Sequence, residues 1–94
     1  MITITVVGGT GNVVVNFGNE SFSGVSIVSP DSTPMYDFEM TGSDGHALAQ
    51  ADDIDRQRAI IRIVGDRIKC DGQPVTLTIR DAVDDGAYQV KLVP

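Results

Sequence analysis

His46 and Cys70 are the only histidine and the only cysteine among these 94 residues, and thirteen carboxylates accompany them. Any chemistry must be assembled from that short inventory. A histidine beside a cysteine can hold the thiol as a reactive thiolate. Cys70, however, abuts the Asp71-Gly72 turn signal at the end of an apolar stretch. A small, partly buried apolar side chain is the reading that position favours. A zinc site would need carboxylates to complete its ligand set. The acids gather in two places, Asp52-Asp53-Ile54-Asp55 and Asp81 with Asp84-Asp85. Paired carboxylates serve glycosidic chemistry only in a cleft that raises the pKa of one of them. With two Tyr, three Phe and no Trp, the chain has little to stack against a sugar ring. Clustered Asp on loops can also bind Ca²⁺ through several oxygens, or can be solvated turns that keep sheet edges soluble. The expectation is no catalytic residue, no cofactor and no metal. Asp52, Asp53, Asp55, Asp81 and Asp85 remain as a candidate acidic interaction surface, with Arg56, Arg58 and Arg62 expected to answer nearby acids.

The stretch "ITVVGGTGNVV" resembles the first strand and glycine loop of dinucleotide-binding dehydrogenases, in which glycines lead into a helix that holds the pyrophosphate. The likeness ends after about ten residues. Val14 stands where the third glycine belongs, and Val13-Val14-Val15-Asn16-Phe17 reads as a strand. A glycine-rich hairpin joining two strands is the expected role.

The elements that would position these groups are strands. Val and Ile dominate the apolar residues, and such side chains suit a pleated surface. Eleven of the thirteen acids are Asp, which favours turns, and two are Glu. Alternation marks residues 2–6, 13–17, 36–40, 75–79 and 88–92. Denser apolar runs at 25–28 and 59–64 fit strands as well, and a short one is expected at 67–70. Met35 and Met40 flank a core strand and are assigned to packing. Turn signals separate the runs, among them Gly8-Gly9, Gly18-Asn19, Ser43-Asp44-Gly45, Gly65-Asp66 and Asp84-Asp85-Gly86. Seven to nine short strands at this spacing predict one antiparallel β-sandwich domain over residues 1–94. Residues 46–60 lack alternation; Ala47, Ala51, Ile54 and Arg58 share a helical face, so a loop or a short helix near 47–58 is expected.

Residues 77–92, "LTIRDAVDDGAYQVKL", resemble the late strands of immunoglobulin-like domains. Leu77-Thr78-Ile79 matches the first of those strands, and Asp84-x-Gly86-x-Tyr88 matches the corner that follows. The resemblance implies an immunoglobulin-like sandwich. It also implies that the Tyr88 hydroxyl bonds back to the upstream backbone while Gly86 permits the bend. Val90 replaces the family's second disulfide cysteine, and the chain stops six residues after Tyr88, leaving no room for the family's final strand. Either the fold is then a different sandwich, or a partner or the N-terminal strand fills that place. Similar endings occur in sandwich modules of phage and bacterial structural proteins. A plain hairpin competes: it would pair Ile79 with Tyr88 in one ladder, whereas a corner puts the two strands in opposite sheets.

The formal net charge of −6 disfavours binding to nucleic acid or to anionic membranes. The N-terminus carries no signal-peptide pattern, so synthesis in the cytoplasm is expected. Together these features predict a non-enzymatic accessory structural or protein-binding module, best suited to a phage virion as a capsid decoration or tail-associated protein. Its partner would be a capsid or tail protein or a further copy of itself, in a homo-oligomer or hetero-complex. The alternative is a small acidic inhibitor of a host nuclease or defence complex. Charge layout separates the two: an inhibitor concentrates its acids on one face, whereas a decoration protein spreads them around an apolar patch.

Overall fold

The structure, a computed structural model, describes residues 1–63 and 67–94. Val64 and the expected Gly65-Asp66 turn lie outside the described residues. Ten antiparallel strands and no helix are found among the described residues. They are β1 (Ile2–Val6), β2 (Gly11–Asn16), β3 (Ser21–Phe22), β4 (Gly24–Val28), β5 (Tyr36–Thr41), β6 (Ala47–Ile54), β7 (Arg58–Arg62), β8 (Ile68–Lys69), β9 (Pro74–Arg80) and β10 (Gly86–Val93). The antiparallel sandwich expected from the alternation is therefore present.

One rule generates the topology. β1 pairs with β10, β2 with β9, β3 with β8, β4 with β7 and β5 with β6. The chain is thus a single long hairpin, doubled back at the turn between β5 and β6. Two further ladders, β10 with β4 and β5 with β9, roll that hairpin into two facing sheets. The first sheet has the order β1-β10-β4-β7 and the second β2-β9-β5-β6. This is the strand order of a jelly roll. An immunoglobulin arrangement would instead place the first two strands side by side in one sheet. Alternation then builds the core: Ile4, Val25, Ile27, Tyr88 and Val90 face inward from the first sheet, and Phe38, Met40, Val75, Leu77 and Ile79 from the second, all at most 1% exposed.

Two local expectations are corrected. The helix near 47–58 is absent; that segment is β6, the start of β7 and the loop between them. Its register against β5 slips twice. Tyr36 faces Ile54 while Phe38 faces Ala51, and Met40 faces Ala49 while Thr41 faces Ala47. Each slip inserts one extra residue in β6, which destroys the period of two and mimics helical spacing. Asp53 sits in the first bulge at φ 53°, and its amide donates to the Asp37 carboxylate at 2.8 Å. Second, β1 and β2 form no continuous hairpin ladder. One bridge, Val7 with Thr10, closes the Gly8-Gly9 turn, and the strands then part into different sheets. They diverge so tightly that a Cβ on Gly11 would lie 2.2 Å from the Thr5 carbonyl oxygen. The place beside β10 is filled by β1, the N-terminal strand, which is one of the alternatives left open by the sequence.

β9 and β10 lie in opposite sheets. Ile79 pairs with Gly11 and Phe38, and Tyr88 with Ile4, so the two do not share a ladder. The stretch between them is a corner.

Candidate functional site: the acidic loop end

The register brings one end of β1, β4, β6 and β9, and the starts of their successors, to the same end of the sandwich. Four loops meet there: residues 7–10, 29–35, 55–57 and 81–85. The 81–85 loop is their hub. Its Ala82 amide donates to the Gly9 carbonyl at 3.0 Å, and its Val83 amide to the Met35 carbonyl at 3.0 Å. Asp85 accepts from the Gly8 and Gly9 amides, both at 3.1 Å. The glycine amides that could have cradled a phosphate are thus engaged by the protein's own carboxylate. The fourth loop joins through the Ser29 amide, which donates to the Gln57 carbonyl at 2.8 Å.

Tyr88 anchors the hub from below. Its ring is fully buried, and its hydroxyl donates to the Asp84 carbonyl at 2.8 Å. The ring packs edge-to-face on Tyr36, with centroids 5.0 Å apart and planes at 72°. Burial pushes the Tyr88 phenol up, against the opposing effect of a hydrogen bond with Ser29. The Tyr36 phenol is pushed up further, again mainly by burial, and its hydroxyl has no partner among the described residues. Gly86 takes φ 135°, a conformation that side chains resist, and a Cβ there would meet Pro30 at 3.0 Å.

Beside the corner, the Asp31 and Asp84 side chains hydrogen-bond to each other. That bond holds the Asp31 carboxyl below the usual carboxylate range, with help from Thr33 and Ser32. The same bond raises Asp84, and partial burial and the charges of Asp31 and Asp85 add to the rise. The two carboxyls shift in opposite directions and titrate as a pair.

The acids predicted as an interaction surface are brought together here. Asp52 and Asp53 lie near the end of β6 and Asp55 just beyond it, and Asp81 and Asp85 follow β9; all five are exposed. β5 runs between them and adds Asp37, which is opposite Arg80 in one ladder and bonded to Asp53 in the other. With Asp31 and Asp84, eight of the thirteen acidic residues stand at this end. Three exposed apolar residues stand among them: Val7 at 74%, Val83 at 72% and Met35 at 42% exposure. Met35 is therefore not the packing residue expected from its place next to a core strand; Met40, at 0%, is. Nothing in the sequence marks Val7 and Val83 as surface residues, because an apolar residue at a loop tip looks like the end of a strand.

The expected pairing of Arg56, Arg58 and Arg62 with nearby acids is not observed among the described residues. The ion pair found among the described residues is Arg80 with Glu39, at 2.9 Å across β5 and β9. No group of three or more His, Cys, Asp or Glu side chains among the described residues could hold a metal ion.

His46 and Cys70 lie at the opposite end of the sandwich, on one recess. They line this recess, of about 220 Å³, with Asp44, Lys69 and Asp71. Cys70 is 3% exposed, and its thiol is pushed up by burial and by the charges of Asp71 and Glu20. A thiolate nucleophile is favoured by the reverse shift.

No family model matches the chain, and no curated protein or solved structure is similar to it.

Proposed function

We propose that the protein is a non-enzymatic protein-binding module and that the acidic loop end is its binding surface. The observation that carries this reading is the meeting of exposed Asp52, Asp53, Asp55, Asp81 and Asp85 with exposed Val7, Met35 and Val83 on one cross-braced end. Exposed apolar side chains rimmed by charge are the usual anatomy of a docking surface. The acids demand a basic partner, and the backbone ties between the loops keep the ordering cost of binding low.

Two settings suit such a module. An accessory structural role, as a capsid decoration or tail-associated protein of a phage virion, is supported by the apolar group at the loop end. The jelly-roll order adds an analogy of fold only. An acidic inhibitor of a host nuclease or defence complex is supported by the gathering of the carboxylates, which offers a basic nucleic-acid groove a set of phosphate-like charges. The charge layout favours the inhibitor over a decoration protein with dispersed acids; the apolar group favours the structural role. The test is capture from the native source with wild type and with an Asp52→Asn/Asp55→Asn/Asp81→Asn variant as baits. The expected result is a basic partner retained by the wild type, lost by the variant and displaced by a polyanion. A capsid or tail protein in that position selects the structural role, and a nuclease or defence protein the inhibitor. A partner held equally well by both baits would refute the loop end as the surface.

A further inference from the structure

The outer face of the first sheet carries the opposite charge. Its outward rows follow from the register: Thr3–Gln89–Val28–Arg58, Lys91–Ser26–Ile60 and Val93–Gly24–Arg62, with Thr5–Ala87 beside them. Not one of these residues is acidic, in a chain of net charge −6. Arg58, Arg62 and Lys91 are exposed, and Ile60, at 60% exposure, lies between the two arginines along β7 and in the same row as Lys91. The outer face of the second sheet differs: there Asp37 and Glu39 from β5 stand beside Arg80.

The molecule therefore bears two surfaces of matching design and opposite sign. One is an apolar group, Val7, Met35 and Val83, rimmed by carboxylates. The other is an apolar residue, Ile60, rimmed by cations. We propose that a second copy of this chain is the occupant of the cationic sheet face, docked on it by its acidic loop end. This rests on the reading of the loop end as a binding surface and specifies one partner for it. Local charge complementarity dominates such a contact, because the net repulsion between two anionic copies is screened over about 8 Å at physiological salt. The two surfaces are different patches, so the contact is head-to-tail and leaves a free acidic end and a free cationic face on every dimer. Growth then continues to a ring or a filament.

Sedimentation velocity over a concentration series tests this with the whole chain and two variants, each altering exposed side chains. The loop variant is Asp52→Asn/Asp55→Asn/Asp81→Asn, and Asn tolerates the φ of 52° at Asp81. The face variant is Arg58→Gln/Lys91→Gln. The wild type should shift to larger species with concentration at low salt, and high salt should reverse the shift. Each variant alone should stay monomeric. An equimolar mixture should stop at a 1:1 dimer, because the intact acidic end of one variant meets the intact cationic face of the other and no further contact remains. A wild type that stays monomeric throughout overturns the proposal. So does association that persists in either variant alone, or a mixture that stays monomeric. If the wild type is monomeric while the loop variant still loses a basic partner in capture, self-docking fails and the loop end as a binding surface stands.

Discussion

The two ends of the sandwich are built from the same strands and differ in what their loops leave exposed. At the acidic end, the hydrogen bonds of the 81–85 hub consume Asp85 and engage Asp31 with Asp84, while Asp52, Asp55 and Asp81 take part in no side-chain bond described above. Val7, Met35 and Val83 stand uncovered among them. At the opposite end, Glu20, Asp44 and Asp71 are interspersed with Arg67 and Lys69, and Phe17 and Phe22 pack edge-to-face with centroids 5.3 Å apart. Its loops are also tied over long spans, the Gly72 amide to the Gly18 carbonyl at 2.7 Å and Arg67 to Ser21 at 3.0 Å, but Asp44 and Asn16 there reach only their neighbours. Asp44 accepts from the amide of His46, two residues away, and Asn16 from that of Gly18, whereas Asp85 reaches across more than seventy residues to Gly8 and Gly9. A loop braced over such a distance can hold spare charge in a fixed pattern, and a fixed pattern is what recognition requires.

The comparison can be broken from its strongest tie downward. Tyr88→Phe removes the hydroxyl that holds the Asp84 carbonyl and leaves that carbonyl unpaired, so chemical denaturation should show a loss of about 1–2 kcal/mol. Hydrogen exchange should locate the loosening in residues 81–86. Asp85→Ala removes two exposed bonds and should cost about 1 kcal/mol. Asp44→Ala, which loses only a local turn bond, should cost a few tenths by the same measurement; equal losses would erase the contrast between the ends. Tyr36→Phe deletes a hydroxyl that has no partner among the described residues, and stability should be unchanged or slightly raised. A clear loss there would mean that the Tyr36 hydroxyl is satisfied after all.

The acid pair gives the comparison a pH dependence. Asp84 is raised in the folded state, so its contribution is full at low pH and is lost as pH rises through its elevated value. Asp31 is lowered, so its contribution is present above the ordinary carboxylate value and is lost as pH falls through its depressed one. The acidic end should therefore be firmest in the window between the two titrations. Carboxyl NMR should show two separated steps, and Asp31→Asn should return Asp84 towards the ordinary range. A single unshifted titration for both groups would show that they do not interact.

Much of the strand content was legible because alternation is a direct imprint of a half-buried sheet. Ile2 to Val6, Tyr36 to Met40 and Val75 to Ile79 each show it. β6 was illegible for a physical reason: two bulges cancel the period that reveals a strand, and the residues left in step look helical. The global order was illegible as well. Residues 77–92 encode a corner, and a corner is a local device that different sandwiches can share. Which strand lies beside β10 is decided by pairings between distant residues, such as Ile4 with Tyr88, that carry no local signature. Of the site, the acids were visible one by one. Their meeting was not, because β5 lies between the two clusters and only its ladders to β6 and β9 bring them together. Val7, Met35 and Val83 were hidden by their own type, since an apolar residue is ordinarily assigned to the core.

The central claim is that the protein meets other molecules through its acidic loop end. Amide-resolved NMR of the labelled protein, titrated with the partner captured from its native source, tests it most directly. Shifts and broadening should fall on residues 7–10, 31–37, 52–57 and 81–86, leaving the recess around His46 and Cys70 undisturbed. Perturbations centred on that recess, or on the exposed edge at Val14, would contradict the account.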